Sequence, residues 1–202
     1  TARMLLLLES KPVYGIPTYQ KVVDDVIKSY LRDYRHHPEN FRPIFLVNDV
    51  LRFWKTLCLN YENKRNQPSE EHDKKIRQKI KNFKLKFSRM MTCYGSICAI
   101  TDLPATSDAA DIAALGNLSP YERLEKTVAE HPETVKDFSN LREQYVWFLE
   151  TTDVSEKELF RHFEDKTFRE DAFKRAEIFG SAMYSIVRSV TERNGHLRYL
   201  VI

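Results

Sequence analysis

Apolar residues along this chain recur three and four positions apart and almost nowhere alternate, so the pattern predicts helices throughout. Met4 to Leu8 is an unbroken apolar run that reads as the end of a helix over 2–11, stopped by Pro12 and the turn-forming Tyr14-Gly15-Ile16-Pro17. Thr18 is placed to cap a second helix, in which Val22, Val23, Val26, Ile27, Tyr30 and Leu31 share one face. The polar stretch 35–42 reads as a loop, and Pro43 fits the first turn of a third helix running to about Asn63. A fourth helix is expected from about Glu70 to Thr101, with Ile76, Ile80, Phe83, Phe87, Met90, Tyr94 and Ile97 in one continuous stripe. Leu103 to Ser107 marks a change of composition and a boundary. Beyond it the spacing predicts helices near 108–116, 119–131 and 132–151, one at Ser155–Glu164 opened by a Ser155/Glu158 capping pattern, and a long one over 167–193 closed by Asn194-Gly195. The tail from His196 to Ile202 reads as a short strand or an extended arm. The fold class is therefore all-α, a bundle of about seven to eight helices. Residues 1–103 form a first helical region and 104–202 a second lobe expected to pack on it.

Polar positions on the third and fourth helices carry the candidate chemistry. At about 100° per residue, Val47, Val50, Leu51, Phe53, Trp54, Leu57, Cys58 and Tyr61 take half of the third helix. Asn48, Asp49, Arg52, Lys55, Thr56 and Asn60 take the other half. Asn, Asp and Thr each cost roughly 0.5 kcal/mol of helix propensity relative to Ala. A stripe made of them reads either as a solvated face or as a surface built to form hydrogen bonds. On the fourth helix, Lys74, Lys75, Arg77, Lys79, Lys81, Lys84, Lys86 and Arg89 follow one another with no acid between them. The helical period puts Arg77, Lys81 and Lys84 on one flank of the apolar seam and Lys75, Lys79, Lys86 and Arg89 on the other. Such a concentration suits phosphate groups, and it also serves solubility, with stems lying along the core edge.

Composition narrows the rest. The 202 residues are 42% apolar and 30% charged, an ordinary balance for a folded domain, and the net charge of +3 argues for no particular partner by itself. Cys58, Cys93 and Cys98 sit in apolar stretches, an odd set without ligand spacing, which points to reduced, buried thiols and a cytoplasmic setting. The Met4–Leu8 run is far short of the roughly 20 residues of a membrane span, so no membrane is expected. No metal-ligand spacing of the zinc type is present, and the six histidines fall mostly in loops. Gly95-Ser96 and Gly180-Ser181 both lie within helical periodicity without a following Asp-x-Asp, and Asp108 and Asp111 are three apart on a helix, so neither set makes a nucleotidyl-transfer centre; the glycines read as packing positions. Arg32 and His37 resemble the Arg-polar-x3-His pattern of the all-helical HEPN ribonucleases, a short match at a helix end.

Three stretches carry a longer likeness: "TARMLLLLES", "FRPIFLVNDVLRFWKTLCLNYE" and "KNFKLKFSRMMTCYGS". Together they resemble the helical C-terminal part of a bacterial family of nucleotidyltransferase-domain proteins of the DNA polymerase β type, over about residues 1–100. The resemblance implies that an α/β catalytic domain precedes Thr1, bearing the metal-binding carboxylates, and that Mg²⁺ and an NTP belong to the intact enzyme and not to this chain. It also implies that the chain alone is not catalytic. From the first segment it carries over Arg3, Glu9 and Ser10. From the second come Asn48, Asp49, Arg52, Trp54, Lys55, Asn60 and Tyr61, and from the third Lys84, Ser88 and Arg89. Arg52, Lys55, Lys84 and Arg89 would reach triphosphate or acceptor; Asn48, Asp49, Asn60, Glu9 and Ser10 would orient them. Two alternatives stand beside it: a non-catalytic module that binds nucleic acid or an acidic partner through the basic helix, and a HEPN-like ribonuclease using Arg32 and His37.

Overall fold

The computed structural model describes residues 2–32, 43–66 and 72–200. They form an all-α bundle, and no strand occurs among them. The first half contains α1 (Ala2–Glu9), α2 (Ile16–Tyr30), α3 (Ile44–Arg65), α4 (His72–Lys84) and α5 (Met90–Asp102). The second contains α6 (Ala109–Asn117), α7 (Pro120–Ala129), α8 (Val135–Thr152), α9 (Glu156–Glu164) and α10 (Lys166–Arg193). A π turn, Leu85–Arg89, joins α4 to α5 without a break, so the expected fourth helix is one rod with a local change of pitch.

Local chemistry sets most helix ends. Ser119 and Glu122 close a capping box around the start of α7, with Pro120 in its first turn, where a missing N–H costs nothing. Asp108 and Asp111 form a second box at α6, which gives that pair of acids a structural use. Ser155 accepts from the Glu158 N–H, as its pattern predicts. At α2 the expectation fails. The helix begins at Ile16, behind Gly15 at φ 68°, and Thr18 lies inside its first turn and caps nothing. Glycine reaches that left-handed turn without strain, and Pro17 tolerates the helix start. The tail, expected as strand or arm, folds as a 3₁₀ turn at Leu197–Tyr199.

Two apolar clusters share α5. Phe83, Phe87, Phe148, Phe163 and Phe179 centre the first, among α4, the π turn, α5 and α7–α10. Met4, Leu8, Ile27, Val47, Val50 and Phe53 centre the second, where Ile112 of α6 joins α1–α3. Met91 and Cys98 face one cluster, Cys93, Ile97 and Ile100 the other. A helix apolar all round must be buried all round. Its hydroxyls fit because Ser96 and Thr101 donate to carbonyls one turn back in α5 and Thr92 donates to the Ser88 carbonyl of the π turn. Beyond the end of α5, buried His131 sits 2.7 Å from Asp102 Oδ1, which also accepts from Asn194 after α10.

Burial holds both α5 thiols back from ionising: it pushes Cys93 up to about 12 and Cys98 further. Cys58 is half-buried, and it too is raised, by burial and then by Glu62. A disulfide reagent at pH 8 therefore titrates one thiol, Cys58, in the folded protein, and the remaining two only on unfolding. Three thiols reacting at one rate in the native state would contradict this burial.

Candidate functional site

The C-terminal half of α3, the α4–α5 rod, the end of α1 and the start of α7 enclose a cleft of about 1270 Å³. Lys11, Lys64, Lys74, Arg77, Lys81, Lys84, Arg89 and Arg123 line it, against one carboxylate among the described residues, Glu9. That carboxylate is already paired, to Arg89. Lys64, Lys74, Lys81 and Lys84 form no ion pair among the described residues, while Arg77 reaches Glu156 at 2.7 Å with both groups largely exposed, a contact worth at most about 1 kcal/mol. Leu57, Tyr61, Leu85 and Leu149 add apolar wall.

The π turn explains how Arg89 comes to face this cleft. On a regular helix Arg89 lies about 120° from Arg77, on the opposite flank of the seam. A π turn inserts about one extra residue, which sets the residues beyond it back by about 100°. Arg89 thus joins the row of Arg77, Lys81 and Lys84, while Lys75, Lys79 and Lys86 stay off the cleft wall. The turn is the stretch Leu85-Lys86-Phe87-Ser88-Arg89, so Ser88 and Arg89, carried over by the resemblance, lie in the π turn, and Lys84 is the lysine before it. Phe87 points into the core and holds it there.

Glu9, Asn60, Lys84 and Arg89 are brought together in the cleft, with Tyr61 and Ser88. Asn48, Asp49, Arg52, Lys55 and Ser10 are not. Asn48 is buried and donates to the Tyr199 carbonyl at 3.1 Å. Asp49 accepts from the Tyr30 hydroxyl at 2.7 Å and from Arg52 at 2.6 Å. Burial and that carboxylate push Tyr30 up to about 12. Lys55 is exposed away from the cleft, and Ser10 donates to the Leu6 carbonyl. The polar stripe of α3 is therefore two surfaces. Twelve residues separate Asn48 from Asn60, about 18 Å of rise and about 120° of rotation. His37 lies outside the described residues, so the Arg32/His37 pair does too.

Sequence reasoning overlooked Lys11, Lys64 and, above all, Arg123. The only signal for Arg123 is a cation one turn before Thr127, beside the Leu124–Val128 face of α7. Glu9, tied to Arg89, makes no cation site, and among the described residues no group of three His, Cys, Asp or Glu side chains could hold a metal. This donor set does not fit Mg²⁺.

No family matches this chain. The family models, the curated proteins and the solved structures alike yield no match. The cleft's own chemistry is thus what bears on function: cations in excess, an apolar flank and one lining carboxylate among the described residues, Glu9, already tied to Arg89.

Proposed function

We propose that this chain is a phosphate-binding module whose cleft holds the triphosphate of a nucleotide, the role of a helical substrate-binding region beside a nucleotidyltransferase domain. One observation carries the reading: among the described residues, eight cations meet a single, already neutralised carboxylate on the wall of one cleft. Lys81 and Lys84 stand ready to take phosphate oxygens, and Arg77 can leave its weak surface partner to join them. Tyr61 and Leu57 offer a face for a base. The likeness of the first 100 residues to nucleotidyltransferase-associated helices supports the same ligand, with bond-making assigned to another domain.

The length of the basic row favours a second reading. From Lys74 to Arg89 it runs about 22 Å, long for one triphosphate and suited to a nucleic-acid strand. Fluorescence anisotropy with a labelled ATP analogue and with a single-stranded 12-mer RNA separates the two. The first reading expects the triphosphate to bind at least about tenfold more tightly than the nucleoside, and Lys81→Glu with Lys84→Glu to weaken it by about tenfold or more. Affinity falls steeply with salt in either case. Arg52→Ala, outside the cleft, leaves binding unchanged. Equal affinity for nucleoside and triphosphate sinks the nucleotide reading, and RNA binding lost in the same double variant selects the other.

A further inference from the structure

A second cavity, about 320 Å³, lies between α1, α2, α5 and α6 and shares only Leu8 and Arg123 with the cationic cleft. Leu6, Leu7, Val23, Ile27, Ile100 and Ala113 make its wall apolar. Its volume falls at the lower end of small-molecule sites, roughly 300–1,000 Å³. The unusual member of its lining is Arg123, which is only 3% exposed.

Among the described residues Arg123 forms no ion pair. Its Nε donates to the Leu115 carbonyl at 2.8 Å and its Nη1 to Ser96 Oγ at 2.8 Å. Both Nη1 and Nη2 reach the Leu8 carbonyl at 3.4 Å, a distance at which little hydrogen bond remains. All three acceptors are neutral. Leu8 and Leu115 lie in the last turns of α1 and α6, whose partial negative charge offsets part of the guanidinium's charge and explains why the residue is tolerated there. A buried cation is otherwise costly without an anion beside it. Asp24 of α2 also lines the cavity and does not pair with Arg123.

We infer that this cavity binds a small aliphatic carboxylate, its chain among the leucines of α1 and the apolar face of α2 and its head on the Arg123 guanidinium. The two long contacts to Leu8 leave donors that a planar, two-oxygen anion satisfies better than a carbonyl does. One guanidinium matches a carboxylate and falls short of a doubly charged phosphate, which belongs in the other cleft; the Ser96 proton is already given to the Thr92 carbonyl.

Isothermal titration calorimetry with octanoate and with 1-octanol tests the assignment on the whole chain. Octanoate is expected to bind, and more tightly than the alcohol by roughly tenfold, because only the acid meets the guanidinium. Arg123→Met should erase that preference, but it also uncaps α1 and α6 and risks the fold. Ala113→Phe fills the cavity from α6 without touching Arg123. With its helical circular dichroism unchanged, this variant should lose octanoate binding, and Lys81→Glu with Lys84→Glu should keep it. The inference is overturned if octanoate does not bind, if the alcohol binds as well, if Ala113→Phe still binds, or if the cleft variant abolishes the signal.

Discussion

Phe87→Ala should remove a large share of this protein's stability, about 3–5 kcal/mol out of the roughly 5–15 typical of a folded domain. Phe87 is fully buried at the middle of the larger cluster. Its ring stacks on Phe148, with centroids 4.8 Å apart and planes 8° from parallel. Phe179 lies at 4.8 Å and Phe83 at 5.1 Å. Those neighbours come from α4, α8 and α10, each pinned by other contacts, so the space left by the ring cannot close, and the cavity adds to the lost transfer energy. Urea unfolding followed by circular dichroism reads the effect as a lower midpoint at unchanged slope. Phe45, 69% exposed, is the control, and its alanine variant should stay within about 0.5 kcal/mol of the parent. A Phe87 variant losing less than about 1 kcal/mol would mean that the aromatic cluster is not packed in this way. Because Phe87 also anchors the π turn, milder truncation to Leu should displace Arg89 and weaken the nucleotide binding proposed for the cleft before the fold is lost.

Gly95→Ala is the second large effect, and its sign is contested by two terms. Alanine in a helix interior is favoured over glycine by about 1 kcal/mol. A methyl at this position, however, would stand 2.8 Å from the Pro120 carbonyl oxygen, closer than real contacts come, and the obstacle is backbone at the start of α7. The start of α7 is held by its capping box and by Arg123, which is bonded to α5 and α6, so it cannot retreat cheaply. Overpacking of this kind costs about 1–3 kcal/mol, and against a backbone obstacle its upper range applies and outweighs the propensity gain, giving a net loss of up to about 2 kcal/mol. Gly180 makes the contrast. Its added methyl would meet only Met90 Sδ, at 4.0 Å, so Gly180→Ala should be neutral or stabilising. If the two variants gave the same thermal midpoint, the close approach of α5 and α7 would be refuted. The glycines looked alike in sequence, both Gly-Ser pairs inside helical patterns, and only one is a true packing glycine.

Much of the helical plan was legible because it rests on short-range rules. Spacing of apolar residues at three and four, and Ser155 before Glu158, place the second-half helices within a few residues of where they lie. The second helix was misread at its start, where Gly15 and Pro17 together outweigh a threonine cap. For the site, the basic run on the fourth helix was evident, yet its sorting into flanks was wrong for Arg89, because a π turn changes the angular count and no composition rule announces one. The polar stripe of α3 looked continuous on a wheel, which has no axial dimension. Along the real helix its two ends meet different neighbours, Tyr199 and Tyr30 at one, the lysine cleft at the other.

By itself the amino-acid order determined that the chain is helical, where most helices begin and end, which residues are apolar enough to be interior, and that positive charge gathers on one helix. Those properties arise from interactions reaching no further than a turn. Which cations share a wall, that Glu9 neutralises Arg89, and that Arg123 is buried without a carboxylate among the described residues were decided only by the packing of α1, α6 and α7 against the α4–α5 rod. Charges far apart in the chain act on one another through space, and the distances between them exist only once the core has closed.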